Sequence, residues 1–253
     1  MKISQPLYTV YEKTLAGAIP HDKLPAHVGV LMDGNRRWAA QLGEPTRHGH
    51  QAGAERVVEF LGWCRELTIP MVTLYMLSTE NLKRPAAELR DLLEVIENLI
   101  RSLAQAQVAR VRPVGNLGIL PESLAQALEK AVAATEHIDD VQVNIAVGYG
   151  GRQEIVDAMR EMIYEALDSG ADLRELADNL QIADVDRYLY TRGLPDPDLL
   201  IRTSGEQRLS GFLTWQSAYS EFYFCESLWP DFRRVDFLRA LRDYASRQRR
   251  FGS

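Results

Sequence analysis

Arg36, Arg37, Arg84, Arg202 and Arg208 all lie at or just after the ends of short apolar runs, where a phosphate could be gripped. A guanidinium offers a planar fork of N–H donors that matches phosphate oxygens in pairs. Gly34, Gly148, Gly150, Gly151 and Gly205 accompany the arginines. Where there is no Cβ, a backbone N–H can come close to an anion, and the N-terminus of a following helix favours negative charge. Asp33 and Glu221 are carboxylates of the kind that hold a hard divalent cation. Beside phosphates that cation is usually magnesium, bound through one or two carboxylates and the substrate's own oxygens. Together these groups could manage a substrate that carries phosphates.

Such residues need elements that gather them. Leu7, Val10, Tyr11 and Leu15 fall at helical spacing within residues 1–24, which read as an N-terminal appendage, helical by this pattern, before a single domain over 25–253. An apolar run at 28–32 predicts a strand that ends at Asp33-Gly34-Asn35. A helix is expected at 51–67, and a strand at 71–76 that ends at Ser78-Thr79-Glu80-Asn81. The long amphipathic pattern at 85–107 opens on Pro85, where a missing N–H costs little. A strand at 111–114 and a helix at 121–135 follow. The strand at 141–147 ends at Gly148-Tyr149-Gly150-Gly151 and leads into a helix at 152–167. A strand at 199–203 ends at Ser204-Gly205, Tyr223 marks a last strand, and a helix at 235–247 closes the chain. Strands alternating with helices define an α/β fold, a central mostly parallel β-sheet flanked by helices. Ligands of such sheets bind outside the carboxyl ends of the strands. The four polar or glycine-rich clusters all fall there.

Taken singly, each cluster also has an ordinary structural reading. Asp-Gly-Asn is a common turn, Arg36 and Arg37 could be solvated charges, and Ser78 to Asn81 could cap the next helix. His50 could be a structural histidine, and Tyr149, Trp215, Tyr219 and Trp229 read as packing residues. The phosphate reading rests on their coincidence. Other classes lack their signatures: the chain has no Walker-type run, no G-x-G-x-x-G after a strand, no Gly-x-Ser-x-Gly elbow and no DDxxD pattern. A net charge of −6 argues against general nucleic-acid binding. Cys64 and Cys225 have no metal or redox spacing and read as free thiols of a reducing compartment. With no apolar run of transmembrane length and no evident signal peptide, a cytoplasmic protein is expected.

Four stretches carry a resemblance to a known family: residues 27–39, HVGVLMDGNRRWA; 74–85, LYMLSTENLKRP; 144–155, NIAVGYGGRQEI; and 197–224, PDLLIRTSGEQRLSGFLTWQSAYSEFYF. From about residue 25 onward the sequence resembles the cis-prenyltransferases, the undecaprenyl diphosphate synthase family. The resemblance implies condensation of isopentenyl diphosphate with an allylic diphosphate, geranyl or farnesyl, with Mg2+ as cofactor. It implies an allylic diphosphate site over Asp33, Gly34, Asn35, Arg36, Arg37 and Trp38, and an isopentenyl diphosphate site near Arg202, Arg208 and Ser210. Ser78, Thr79 and Glu80 belong to the same substrate-binding cluster. Asp33 and Glu221 would hold the metal. Asn81, Arg84 and His50 match positions that assist leaving-group departure or proton removal. The chain would be a homodimer in which a terminal Arg-x-Gly element, Arg250 and Gly252, reaches the neighbouring subunit's site. Nucleic acid is not expected as a partner, nor a transmembrane segment; a peripheral membrane contact at product release stays open.

Three positions depart from the family pattern. Thr46 stands where an arginine is usual, with Arg47 one place later. Leu82 replaces the tryptophan of long-chain members, and Met76 replaces a small residue. Met76 and Leu82 suggest a short product, Z,E-farnesyl diphosphate, of the short-chain Z-farnesyl diphosphate synthase type. Leu31, Leu74, Val95, Ile96, Leu99 and Ile145 are candidates for the apolar lining. The alternatives are a medium- or long-chain (decaprenyl or undecaprenyl) synthase that supplies a cell-wall lipid carrier, and a non-catalytic subunit of a heteromeric enzyme.

Overall fold

The structure is a computed structural model that describes residues 5–247. It contains, in chain order, α1 (Gln5–Gly17), β1 (His27–Leu31), α2 (Asn35–Leu42), α3 (Thr46–Glu66), β2 (Met71–Ser78) and α4 (Ala86–Ala106). Next come β3 (Arg110–Val114), α5 (Glu122–Thr135), β4 (Gln142–Tyr149), α6 (Gly151–Asp168), α7 (Leu173–Asn179) and α8 (Ile182–Asp186). The chain continues with β5 (Leu199–Arg202), β6 (Glu221–Phe224) and α9 (Arg234–Ser246). All six strands are parallel, in the order β3-β4-β2-β1-β5-β6. The chain builds β2 on one side of β1 and later returns to lay β5 on the other. The ends of β1, β2 and β5 therefore meet at a switch point, where open α/β sheets bind ligands.

The central strands are apolar because both faces are covered, as parallel sheets require. β1 and β5 are buried along their whole length. On one face Val28, Val30, Leu74 and Ile201 pack with Phe60 and Leu61 of α3 and Ile96 and Ile100 of α4. Phe60 is the aromatic hub, with its ring 4.8 Å from that of Phe237 and 5.8 Å from that of Trp229. Truncating such a buried phenylalanine to alanine would cost about 3–5 kcal/mol. On the other face Leu31, Ala146, Tyr149 and Leu200 pack with Phe212 and Leu213.

The strand predictions agree with the structure to within a few residues, and the helices differ more. α3 starts at Thr46, directly after Pro45, rather than at residue 51. Its first turn is polar because Arg47 and His48 are exposed, and His50 lines the cleft described below, so no apolar periodicity announces it. α2, α7 and α8 were not anticipated from the sequence. The residues read as an appendage form α1, which buries Leu15 and, just beyond it, Ile19. Tyr11 of α1 stacks under the Arg239 guanidinium of α9 at 5.6 Å. Strand β3 is an outer strand. The hydroxyl of buried Thr135 accepts the Val111 N–H at 2.9 Å, and Pro113, two residues on, has no N–H.

Candidate active site

A cleft of about 630 Å3 opens over the carboxyl ends of β1, β2 and β5. It straddles the end of the sheet. Leu31 and Tyr75 enter from the Phe212 face, and Met32 and Met76 from the α3–α4 face. Its polar part gathers Asp33, Gly34, Asn35, Arg36, Arg37, His50, Ser78, Glu80, Asn81, Arg84, Arg202 and Ser210. Its apolar arm runs between Met76 and the helices, past Ala54 and Val57 of α3 and Leu92, Val95, Ile96 and Leu99 of α4, with Trp229 beside it. Leu74 and Ile145, expected in the lining, belong to the core instead. Trp229, expected to be a packing residue only, is both: it is buried and it lines the cleft.

Asp33 sits two residues beyond β1, and the register explains its partner. Leu31 pairs with Arg202, so the acid stands two residues past the arginine's level on the adjacent strand, within reach of its long side chain. Arg202 Nη2 donates to Asp33 Oδ2 at 2.9 Å, and Arg37 Nη2 lies 3.7 Å from the same oxygen. Burial alone would raise the Asp33 pKa; hydrogen bonding from Arg202 and the charges of Arg202 and Arg37 outweigh it and hold the carboxyl below its ordinary value. Arg202 is itself buried and donates from Nη1 to the Ser210 hydroxyl at 2.9 Å and to the Arg208 carbonyl. Its Nε has no hydrogen-bond partner among the described residues.

Gly34 has φ +111°, and a Cβ there would also meet Leu228 at 2.8 Å, so the turn from Asp33 into α2 requires glycine. α2 then nests against α3 at a pair of small residues. A Cβ at Gly49 would meet the Asn35 carbonyl oxygen at 2.0 Å, and one at Gly53 would meet Asn35 Oδ1 at 2.3 Å. The Trp229 indole donates to the Gly53 carbonyl at 2.8 Å, which fixes that groove from the other side.

At the end of β2, Ser78 and Asn81 close on each other. The Ser78 N–H donates to Asn81 Oδ1 at 3.1 Å, and the Asn81 N–H donates to Ser78 Oγ at 3.1 Å. Arg84 follows, with Nη1 3.1 Å from Glu88; Arg36 lies 3.5 Å from the same carboxylate oxygen. Across the cleft Glu206 pairs with Arg208 and lies 3.8 Å from Arg37. His50 of α3 faces this group. Burial, then the nearby Arg84 charge, lower its pKa to about 4, so the ring is neutral near pH 7. His50 Nε2 and Asn35 Oδ1 are buried without hydrogen-bond partners among the described residues, and both residues line the cleft. Asn35 Oδ1 is turned to Gly53 of α3, and it is the four arginines that mark a place built for an anionic ligand.

Other expected site residues stand apart. Thr79 extends the β2–β4 ladder through its N–H to the Tyr149 carbonyl at 3.0 Å, and Leu82 packs against the core. Trp38 stacks on His48 at 5.6 Å. Arg47 ties α3 to α4 through Glu94 at 2.6 Å and Asp91 at 3.7 Å. The Arg208 side chain is exposed and held by Glu206, while its backbone carbonyl supports Arg202. Arg250 and Gly252 lie outside the described residues.

Glu221 corrects the expected metal pair. It opens β6 and pairs with Leu199, the first residue of β5, whereas Asp33 lies beyond the last. At about 3.3 Å per residue, some 15 Å of sheet separates the two levels. The Glu221 carboxylate is taken by Arg247 Nη1 at 2.6 Å. Within one chain it cannot share a cation with Asp33. Among the described residues no group of three or more His, Cys, Asp or Glu side chains forms a metal cage. A cation at Asp33 would therefore draw most of its oxygens from a substrate's phosphates, which is how magnesium is commonly held.

Sequence reasoning missed Glu88, Glu206, Thr203 and Tyr75. Glu88 was accessible as the residue four places after Arg84. Tyr75 stacks on Phe212 at 4.8 Å, and burial, then Glu80, push its pKa up to about 12, so it serves as a neutral hydroxyl.

Comparison with known proteins agrees with this geometry. The model of a prenyltransferase family described as undecaprenyl diphosphate synthase matches residues 31–252. A (2Z,6E)-farnesyl diphosphate synthase of Thermobifida fusca is 56% identical over 98% of this chain and 97% of its own. An isoprenyl transferase of Streptomyces avermitilis is 53% identical over 98% of this chain and 96% of its own. A short-chain Z-isoprenyl diphosphate synthase of Mycobacterium bovis is 50% identical over 99% and 97%. The crystal structure of lavandulyl diphosphate synthase from Lavandula x intermedia, in complex with dimethylallyl diphosphate, superposes with a TM-score of 0.86 at 34% identity, covering 92% of this chain and all of that one. By sequence along nearly its whole length and by fold, the chain belongs to the undecaprenyl diphosphate synthase family of prenyltransferases.

Proposed function

We propose that this enzyme joins isopentenyl diphosphate to geranyl diphosphate and releases (2Z,6E)-farnesyl diphosphate. The observation that carries the proposal is one cleft with a four-arginine polar end and an apolar arm that Met76 flanks. Relatives that share about half of its residues are named as short-chain Z synthases, two kinds of evidence for one product class.

The allylic carbon–oxygen bond breaks, and its electron pair leaves with the diphosphate. Arg36, Arg37 and Arg84 are placed to receive that charge, in a cleft where fixed donors can contribute several kcal/mol. Arg202, braced by Asp33 and Ser210, is placed to orient the diphosphate of isopentenyl diphosphate. The double bond of that substrate attacks the allylic carbon, and a proton leaves its C2. His50, neutral and lining the cleft with its Nε2 unpartnered, is placed to accept that proton through the departing diphosphate. Mg2+, where bound, supplies charge neutralisation on the diphosphate, with Asp33 as its protein ligand. In chromatography of products made from radiolabelled isopentenyl diphosphate and geranyl diphosphate, a C15 diphosphate should dominate. Release of chains of ten or more isoprene units would overturn the short-chain reading.

The same proposal includes a homodimer. The outer face of α6 exposes Val156, Met159, Ile163, Tyr164 and Leu167, an apolar stripe at helical spacing that a second copy could cover. Light scattering that reads one chain mass of 28.6 kDa would remove the dimer. A cytoplasmic location is proposed from the two buried free thiols, Cys64 and Cys225, which suit a reducing compartment. Cell fractionation would test it, and recovery in a membrane or secreted fraction would refute it.

A further inference from the structure

Asp33 lies where the sheet no longer holds it. The β1–β5 ladder ends at Leu31 and Arg202, and the next link, from the Thr203 N–H to the Leu31 carbonyl, is stretched to 3.3 Å. Past Asp33 comes Gly34 in the left-handed region, a hinge rather than a support. Yet the Asp33 peptide groups are fully engaged. Its N–H donates to Thr203 Oγ1 at 2.9 Å and is shared with the Leu31 carbonyl at 3.0 Å, and its carbonyl accepts from the same hydroxyl at 2.7 Å. The hydroxyl has one proton, and the Leu31 carbonyl at 3.3 Å is the weaker competitor for it. A single side-chain oxygen thus closes on both ends of one residue. The Asp33 carbonyl also accepts the Trp229 N–H at 3.0 Å.

We propose that Thr203 is a positioning residue for the condensation: its fully buried hydroxyl fixes the Asp33 backbone so that the carboxylate meets Arg202 and the diphosphate in one geometry. Two consecutive residues of one strand end then divide the task. Arg202 holds the acid's side chain, and Thr203 holds its main chain. The inference rests on the reading of Asp33 as the substrate-facing acid. Loss of the hydroxyl removes no charge, so the arginines should still bind both diphosphates, while the acid gains freedom at the moment of bond breaking. Misplacement by about 1 Å can lower a rate by roughly a hundredfold.

The test compares Thr203→Val, which keeps the shape without the hydroxyl, with Thr203→Ser, which keeps the hydroxyl. Melting temperature and steady-state kinetics are measured on the full chain, with each substrate varied in turn. The valine variant should lose about ten- to a hundredfold in kcat, with KM for isopentenyl diphosphate within about threefold, and serine should restore kcat to within about threefold. A valine variant with wild-type kcat, or equal losses in both variants, would overturn the inference. If the valine variant does not fold, Thr203→Ala against Thr203→Ser makes the same comparison, because those two differ only by the hydroxyl. Failure of both the valine and alanine variants to fold would make the hydroxyl a requirement of the fold and also overturn the assignment. Asp33→Ala separates the two readings. If it retains turnover, the role of Asp33 falls; if it abolishes turnover while Thr203→Val does not, only the role of Thr203 falls.

Discussion

At the scale of single residues, the cleft works by holding charges in fixed geometry before a substrate arrives. Arg202 is the clearest case. It is 5% exposed, and its guanidinium reaches Asp33, Ser210 and the Arg208 carbonyl at once. A lysine would keep the charge but could not span those acceptors, because its donors radiate from one nitrogen. Arg202→Lys should therefore raise KM for isopentenyl diphosphate by about tenfold, roughly 1.4 kcal/mol, with less effect on KM for the allylic substrate. Varying each substrate separately checks this; an effect on the allylic side alone would reassign the arginine. This residue was legible in the sequence as a candidate because its strand end coincides with the other arginine and glycine clusters, and the family resemblance gave it a role. Its bracing was not. Ser210, the Arg208 carbonyl and the Thr203 clasp depend on a loop whose course local pattern does not predict. Glu221 shows the opposite case. Its residue type suited a metal, but only the β5–β6 register reveals that it stands at the far end of the sheet.

At the scale of elements, two helices, Trp229 and one strand end shape the apolar arm. Leu74 and Met76 of β2 both lie on the side of α3 and α4, Met76 at a bulge where the β2–β4 register shifts between Tyr75 and Leu77. Met76 thus reaches the arm directly beside the Ser78–Asn81 closure. Its thioether occupies the space into which a growing chain would extend past the reacting end. Met76→Ala should lengthen the product by one or more isoprene units with a geranyl or farnesyl starter, as read by product chromatography. An unchanged product at near wild-type kcat would show that Leu92, Leu99 or Trp229 sets the length instead. The strands were readable because apolar runs of five to eight residues bounded by turns leave few alternatives. α2 was not, since NRRWAAQL is a polar helix that follows a turn and carries Ala39 as its one buried residue. The polar first turns of α3 were lost for the same reason.

At the scale of the whole molecule, two buried histidines couple the fold to pH. His27, at the start of β1, is almost fully buried. Its Nδ1 contacts the Pro195 carbonyl at 2.8 Å and must donate, so its Nε2 accepts from the Thr73 hydroxyl at 2.7 Å. Thr73 Oγ1 in turn accepts from Asn144 at 2.9 Å. Burial lowers the His27 pKa, and burial followed by Arg84 lowers that of His50 to about 4. The unfolded chain takes up these protons near pH 6.5 and the folded chain only at lower pH. Stability from this source is therefore complete above about pH 6.5 and falls as the pH drops toward the folded values. For His50 the loss is on the order of 3 kcal/mol by about pH 4. Melting curves should show His50→Gln losing less stability than wild type between pH 6.5 and 4. Parallel curves would mean that the ring titrates alike in the folded and unfolded chain.

The outer strand β3 has one more consequence. Its Val111 N–H is occupied by Thr135 and Pro113 has none to offer, while Arg110 and Arg112 put charge along the same strand. An incoming strand would find no open donors at those two positions and would meet two cations. This flank is thereby guarded against edge-to-edge aggregation, the hazard that accompanies any open sheet, and the guard is written into five residues that take no part in the chemistry.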